Sequence, residues 1–302
     1  MSWALLCGIA WGDSVQLKPA ADTAIFSLSA TSNFGKEPAL PLGALGPNAA
    51  GNVGRLLMRF DLSSLPTNAV VTNVTLHITV TKQRFGGAAE PIELHRLLKN
   101  WGEGSKVGQK GATATSGEAT WKDRFTSTNQ TAAWGIAGGQ AGTDFTTAAS
   151  VTNNLDGPAN YTFPTTPALI ADVQSWLTNS AANFGWFLLS AKENVIGSAK
   201  RVASHEDAAR SPLLTIGYKI PPPPPPPAKF DRITRNGDTV ELGFHAEAGS
   251  IYTVSFRPAV DVGEWQPLTN VVSKLVSVDA VVLDPVATTS RFYQVAITGQ
   301  VD

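Results

Sequence analysis

The chain has 302 residues, of which 43% are hydrophobic and 16% are charged, so it is long enough for one large or two modest folded domains. This composition excludes an intrinsically disordered chain, and a net charge of −1 excludes a global attraction to nucleic acid or to an anionic membrane. The single cysteine, Cys7, excludes disulfides within the chain and metal sites built on cysteine.

The first twelve residues, Met1 to Gly12, have the pattern of a truncated signal peptide. An apolar core precedes a cleavage site at Asp13, with small residues at positions −3 and −1. An N-terminal β-strand is the alternative interpretation. We favour the signal peptide and therefore expect a secreted, extracellular protein. No later stretch approaches the roughly 18 continuous apolar residues of a membrane span.

Alternating apolar and polar side chains predict β-strands through most of residues 13–219. The clearest run is Val74–Thr81, with the period of two expected of a half-buried strand. Further strands are predicted at Ala24–Ser29, Leu56–Leu62, Ile92–Leu97, Gly185–Ala191 and Leu213–Tyr218. The segment Thr166–Thr178 has the apolar stripe of a helix. Many strands and one short helix favour an all-β sandwich or jelly roll.

Seven consecutive prolines, Pro221–Pro227, follow this region. Such a run takes the stiff polyproline II form, so we interpret residues 220–228 as a spacer of roughly 20 Å between two domains. The alternative, a ligand for an SH3-type domain, belongs to signalling inside other kinds of cell.

Residues 229–299 also have the pattern of strands. The strand-like runs are Val240–Phe244, Ile251–Phe256, Leu275–Leu283 and Arg291–Ile297. Asn236-Gly237 is a strong hairpin signal before the first of them. The spacing predicts a second, small sandwich of the immunoglobulin-like or fibronectin-type-III-like kind.

The segment Leu56–Pro66, with the sequence LLMRFDLSSLP, resembles the core of the DNRLRE-type domain. This is a family of bacterial secreted β-sandwiches grouped with alginate-binding carbohydrate-binding modules. Further landmarks of the resemblance follow in order: Ala21-Asp22-Thr23, Asn33-Phe34-Gly35, Trp101-Gly102-Glu103-Gly104, Thr120-Trp121, Asp172–Trp176 and Ser204-His205-Glu206. The resemblance covers roughly Val15 to Tyr218.

The resemblance implies a jelly-roll fold, an extracellular setting and, for some members, binding of an acidic polysaccharide such as alginate. Two departures bear on the ligand. The six-letter string that names the family does not occur here, and His205 stands where the family pattern has arginine. We therefore predict a secreted carbohydrate-binding protein whose partner is an alginate-like, uronate-rich polysaccharide.

Catalytic motifs are missing from the sequence. The four histidines have no helical metal-ligand spacing, and neither His-Glu-x-x-His nor Gly-x-Ser-x-Gly occurs. Glu103 and Glu118 could form a glycosidase pair, but the family pattern places them in a structural turn. We predict a protein that is not an enzyme. A purely structural or adhesive surface protein without a sugar site is the alternative, and a polysaccharide lyase or hydrolase is the third.

Strand alternation suggests the ligand-binding residues. If the apolar residues of the strands face inward, Arg55, Arg59, His77 and His95 face outward and form a basic stripe that could bind carboxylates. The alternative is a solvated face on which Arg59 pairs with an acid such as Asp61.

The aromatic residues divide into two groups. We expect Trp101, Trp121 and Trp176 in the core, because periodicity or turn context buries them. Trp134 and Phe145 lie in a glycine-rich loop, where both are free to be exposed and to stack on a sugar ring.

Cofactors and assembly leave less signal in the sequence. We predict no cofactor, although a structural calcium ion could bind at loop residues such as Asp22, Asp156 or Asp172. No ligand spacing singles these residues out. We expect a monomer that neither binds nucleic acid nor spans a membrane.

Overall fold

The structure, a computed structural model, describes residues 13–49, 51–83, 87, 89–127, 132–221, 227–260, 263–285 and 290–301. The described residues form two compact units, one that ends at Pro221 and one from residue 227 onward. One α-helix accompanies many strands, so the predicted all-β class is confirmed. The predicted signal peptide and most of the proline run, residues 222–226, lie outside the described residues.

The first unit contains fifteen strands and one helix among its described residues. The strands are β1 (Asp13–Leu17), β2 (Pro19–Phe26), β3 (Ser32–Asn33), β4 (Ala39–Ala44), β5 (Val53–Phe60), β6 (Val70–Gln83), β7 (Glu90–Arg96), β8 (Ala112–Thr113), β9 (Asp123–Phe125), β10 (Ala132–Ala133), β11 (Val151–Leu155), β12 (Ala159–Phe163), β13 (Trp186–Ser190), β14 (Lys200–Ala203) and β15 (Leu213–Lys219). The helix α1 is Pro167–Thr178.

Eleven of these strands form one antiparallel sheet that folds over on itself. The order is β1-β15-β6-β14-β4-β5-β13-β7-β11, with β12 also paired to β6 and β2 also paired to β5. Strand β4 bonds to β14 with residues 39–42 and to β5 with residues 43–44. It therefore carries the sheet from one half to the other, and the two halves share an apolar core.

The inner core collects the apolar side chains that alternation assigned to the inside. Leu56, Met58 and Phe60 of β5 meet Leu76 and Ile78 of β6, and all five are buried. An antiparallel sheet that packs on one face in this way needs apolar residues at every second position. The hydrophobic effect of this burial holds the two halves together.

A second apolar cluster lies on the other face of the half that contains β5, β13 and β7. Leu57 and Phe187 point away from the inner core, yet both are fully buried. The segment between β7 and β11 covers them with Trp101, Trp134 and Phe145. Trp134 stacks on Phe187 with ring centroids 6.0 Å apart. These strands are therefore buried on both faces.

Helix α1 begins where its sequence provides a cap. Thr166 is extended, and its Oγ1 accepts a hydrogen bond of 3.0 Å from the Leu169 amide, while Pro167 occupies the first turn. Leu169, Val173 and Trp176 are buried against the inner core. The predicted helix is confirmed to within one residue.

The described part of the second unit contains six strands in two antiparallel sheets. The strands are β16 (Arg232–Asn236), β17 (Thr239–Ala246), β18 (Ser250–Arg257), β19 (Gln266–Ser273), β20 (Val278–Pro285) and β21 (Phe292–Gln300), ordered β16-β17-β20 and β19-β18-β21. Both sheets contribute to one core, as Leu242 and Phe244 from the first and Tyr252 and Val254 from the second show. Asn236 pairs with Thr239 across the predicted hairpin turn.

The second cluster should contribute to stability as a core does. Trp134→Ala removes a buried indole, so we expect the first unit to lose about 3–5 kcal/mol of unfolding free energy. In calorimetry, its transition should then fall by roughly 6–20 °C. Ile136→Ala is the matched control, because Ile136 lies two residues away and is 58% exposed. Equal transitions for the two variants would contradict a core role for Trp134.

Candidate functional site

The structure does not assemble the predicted basic stripe. Arg55 and Arg59 lie on β5, whereas His77 lies on β6, and β14 and β4 separate these two strands in the sheet. His95 lies on β7, on the side of the sheet that the second cluster covers. The four residues therefore do not form one solvent-facing surface.

Arg55 is already engaged by its own protein. Its guanidinium makes two hydrogen bonds to the Glu193 carboxylate, of 2.7 and 2.6 Å, and a third of 2.7 Å to the Gly138 carbonyl. It also lies 5.3 Å from the centroid of the Trp121 ring. A side chain held by these contacts fastens the covering segment to the sheet and has little capacity left for a ligand.

Arg59 and His77 are more accessible but lie apart. Arg59 donates a 3.0 Å hydrogen bond to Asn100 and lies 5.4 Å from the Trp101 ring, so Asn100 is its partner and the suggested Asp61 is not. His77 is exposed, and its Nδ1 lies 2.8 Å from the Thr162 hydroxyl.

The expected exposure of His95 and Trp134 is wrong. His95 is 4% exposed, with Nδ1 2.7 Å from the Thr146 carbonyl and its ring against Phe145. Trp134 is also 4% exposed, and its indole N–H donates to the Thr120 carbonyl. Alternation gives the face of a sheet on which a residue lies, and here a later segment covers that face. Neither residue, nor Phe145 at 6% exposed, is a surface platform for a sugar.

An open groove lies elsewhere on the first unit, across the adjacent strands β6, β14 and β4. Its volume is about 540 Å³, within the roughly 300–1,000 Å³ range of ligand clefts. Its polar lining includes Glu37, Thr81, Gln83 and Gln109, and its apolar lining includes Pro41 and Leu45.

The groove carries an excess of positive charge. Lys82, Lys200, Arg201 and Arg210 line it, against the single carboxylate of Glu37. Glu37 is buried and accepts a hydrogen bond from the Gly108 amide. Lys200 is also buried, so the cations that face solvent are the other three.

These three cations differ in how firmly they are held. Arg201 is fixed, because it donates to the carbonyls of Ala39 and Gln109 at 2.7 and 2.6 Å. The Arg210 side chain is about half exposed and pairs with the less exposed Asp207 at 2.6 Å. Ion pairs near the surface contribute little, so a ligand carboxylate can compete for Arg210. Lys82 is exposed and forms no ion pair with a described carboxylate. The groove thus combines one rigid and two adaptable cations.

A second polar site brings together three residues that are far apart in the sequence. Asp22 of β2 is 1% exposed, and its Oδ1 lies 3.1 Å from Nδ1 of His205. Oε1 of Glu103 lies 3.5 Å from the same nitrogen. Asp22 and Glu103 are also linked by a 2.9 Å hydrogen bond from the Asp22 amide to Glu103. We call these three residues the Asp22 cluster.

Tight backbone contacts hold Glu103 in the Asp22 cluster. The buried Asn33 side chain donates to the Glu103 carbonyl at 2.7 Å. Gly35 and Gly104 allow this approach, since a Cβ on Gly35 would lie 2.4 Å from the Glu103 carbonyl oxygen. Gly104 has φ of +87°, a conformation that favours glycine. The Asn33-Phe34-Gly35 and Trp101–Gly104 landmarks thus serve to position this carboxylate.

The pKa values of Glu103 and His205 are both raised within the Asp22 cluster. Burial raises the pKa of Glu103 above its usual range, although the Asp22 amide and His205 oppose this. Contact with Asp22 is the largest of the causes that raise the pKa of His205, although burial opposes it. His205 also contacts Glu206, which pairs with Lys36 at 2.5 Å.

The three aspartates suggested for calcium are not brought together. Asp172 accepts hydrogen bonds from Ser150 and Trp186, so its carboxylate is occupied by donors. Asp156 is exposed. Asp22 alone joins a set of metal-ligand type residues, with Glu103 and His205 as its neighbours. No sequence spacing reveals this set, because its members come from separate loops and strands.

Comparison with known proteins finds no family model that matches the chain and no curated protein significantly similar to it. The resemblance to the DNRLRE-type domain therefore stays a prediction. Within the described ranges, no helix has the length and apolar character needed to cross a membrane.

The role of Arg55 can be tested by its removal. Arg55→Ala leaves Glu193 unpaired and releases the Gly138 carbonyl, so we expect the first unit to lose about 1–3 kcal/mol of unfolding free energy. Lys99→Ala, at an exposed lysine, is the control. A thermal transition unchanged by Arg55→Ala, as seen by calorimetry, would show that the contacts do not fasten the segment.

Proposed function

We propose that this protein is a secreted, non-catalytic binder of acidic polysaccharide, and that the groove across β6, β14 and β4 holds the ligand. The observation that carries the proposal is the grouping of Lys82, Arg201 and Arg210 in an open groove with one buried carboxylate. A protein with a net charge of −1 has no general excess of cations to account for this grouping.

The chemistry of the groove fits uronates better than neutral sugars. Neutral sugars are usually held by aromatic faces, but the one aromatic residue among those lining the groove, Phe26, is 3% exposed. Guanidinium groups bind carboxylates with charge-assisted hydrogen bonds, and a lysine acts as a point charge. A chain with a carboxylate on every sugar would meet several of these cations at once.

The fold supports a binding role as well. We propose that the first unit is a jelly roll of the DNRLRE type and the second an immunoglobulin-like or fibronectin-type-III-like sandwich, joined by a polyproline spacer. A groove on paired strands needs no closing motion, because its strands fix the backbone. A surface or matrix protein without a sugar site is the second reading, and the binding experiment below separates the two.

Affinity electrophoresis in native gels with alginate tests the groove. The wild-type chain should be retarded, and the retardation should decrease as salt screens the charges. Lys82→Ala/Arg210→Ala should bind about tenfold more weakly, equivalent to ~1.4 kcal/mol for two surface charge contacts.

The matched control is Lys99→Ala/Lys122→Ala, which removes the same charge from two exposed lysines that do not line the groove. It should migrate like the wild type when corrected for gels without alginate. Arg59→Ala tests the stripe, and weakening by this variant alone would favour that surface over the groove. A wild-type chain that is retarded by neither alginate nor another uronan would leave the structural reading in place.

A further inference from the structure

We propose that Asp22, Glu103 and His205 form a binding site for one divalent transition-metal ion, with Zn²⁺ as the best-matched ion. The site lies apart from the groove and goes beyond the polysaccharide-binding role. None of its three residues lines the groove.

The spacing of the ligand atoms fits a shared ion. All three residues offer a ligand atom within 4.8 Å of the others. His205 Nδ1 lies 3.1 Å from Asp22 Oδ1 and 3.5 Å from Glu103 Oε1. Zinc bonds to nitrogen and oxygen are about 2.0–2.2 Å long, so neighbouring ligands of a tetrahedral ion lie roughly 3.3–3.5 Å apart. The cluster needs little adjustment to reach this geometry.

Two buried polar atoms in the cluster have no hydrogen-bond partner. These are Asp22 Oδ1 and His205 Nδ1, which approach each other without the alignment of a hydrogen bond. Buried polar atoms are nearly always satisfied, so an unpaired oxygen and an unpaired nitrogen side by side need a reason. A cation that accepts a lone pair from each supplies one.

The surroundings of His205 prepare it as a ligand. Its Nε2 lies 3.0 Å from Oε1 of Glu206, and Lys36 contacts the same carboxylate oxygen. A proton on Nε2 that points to Glu206 leaves the lone pair of Nδ1 directed at Asp22 and Glu103. Metal-bound histidines commonly make this contact to a carboxylate, which sets the tautomer and the ring orientation.

The donor set selects the class of ion. Calcium and magnesium prefer oxygen ligands, whereas one imidazole and two carboxylates suit zinc and its neighbours. Among the described residues, the three carboxylates of Asp22, Glu103 and Glu206 form ion pairs with Lys36 and His205 alone. With a neutral His205, a dication offsets the remaining negative charge.

Isothermal titration of ZnCl₂ into the tag-free full chain, stripped with EDTA, tests the site. We expect one saturable site per chain and a higher thermal transition for the first unit. His205→Ala should abolish the saturable binding. Glu206→Gln should weaken it roughly 10- to 100-fold, because it removes the carboxylate that orients the imidazole.

His245→Ala is the matched control, since His245 in the second unit also has two carboxylates nearby, those of Asp279 and Glu247, but is exposed. It should bind zinc like the wild type. His205→Arg guards against a folding artefact, because a permanent cation replaces the ion. It should keep the thermal transition and lose the response to zinc. Absence of saturable binding in the wild type, equal binding by His205→Ala, or binding of CaCl₂ in place of ZnCl₂ would overturn the proposal.

Discussion

Burial on both faces of the strands β5, β13 and β7 is the constraint on which the first unit depends. Leu56 and Met58 face the inner core while Leu57 faces the second cluster, and all three are fully buried. A strand in this position cannot present a ligand-binding stripe, because both of its faces pack against protein. The groove of the proposed function lies in the other half of the sheet, across β6, β14 and β4.

The covering segment also explains why the arginines of β5 are engaged. Arg55 lies where the sheet meets the segment and bonds to both Glu193 and Gly138. A partly buried guanidinium must find acceptors for its N–H groups, and the nearest ones here belong to the protein. The groove differs because Lys82 and Arg210 are exposed, although Arg210 also pairs with Asp207.

Local pattern predicted much of the fold and little of the site. Alternation located β5 and β6, the Asn236-Gly237 turn located the hairpin before β17, and apolar periodicity located α1, since these signals lie within a few residues. Strand β19 was missed because half of its residues are exposed polar or small groups. The covered face of β7 could not be predicted from alternation, because the segment that buries His95 lies up to fifty residues further along. The Asp22 cluster could not be predicted from local pattern either, because tertiary folding alone brings its three residues together.

The sequence separation within the Asp22 cluster has a consequence for stability. Asp22 lies 81 residues from Glu103 and 183 residues from the His205 amide that bonds to its carboxylate. An ion held by all three would tie β2 to the middle and to the end of the unit, as a disulfide ties distant segments in other proteins. Closing a loop of about 100 residues restricts the unfolded chain by on the order of 4–5 kcal/mol. Because Cys7 is its sole cysteine, this chain cannot form an internal disulfide. Metal coordination by the Asp22 cluster would provide a comparable cross-link.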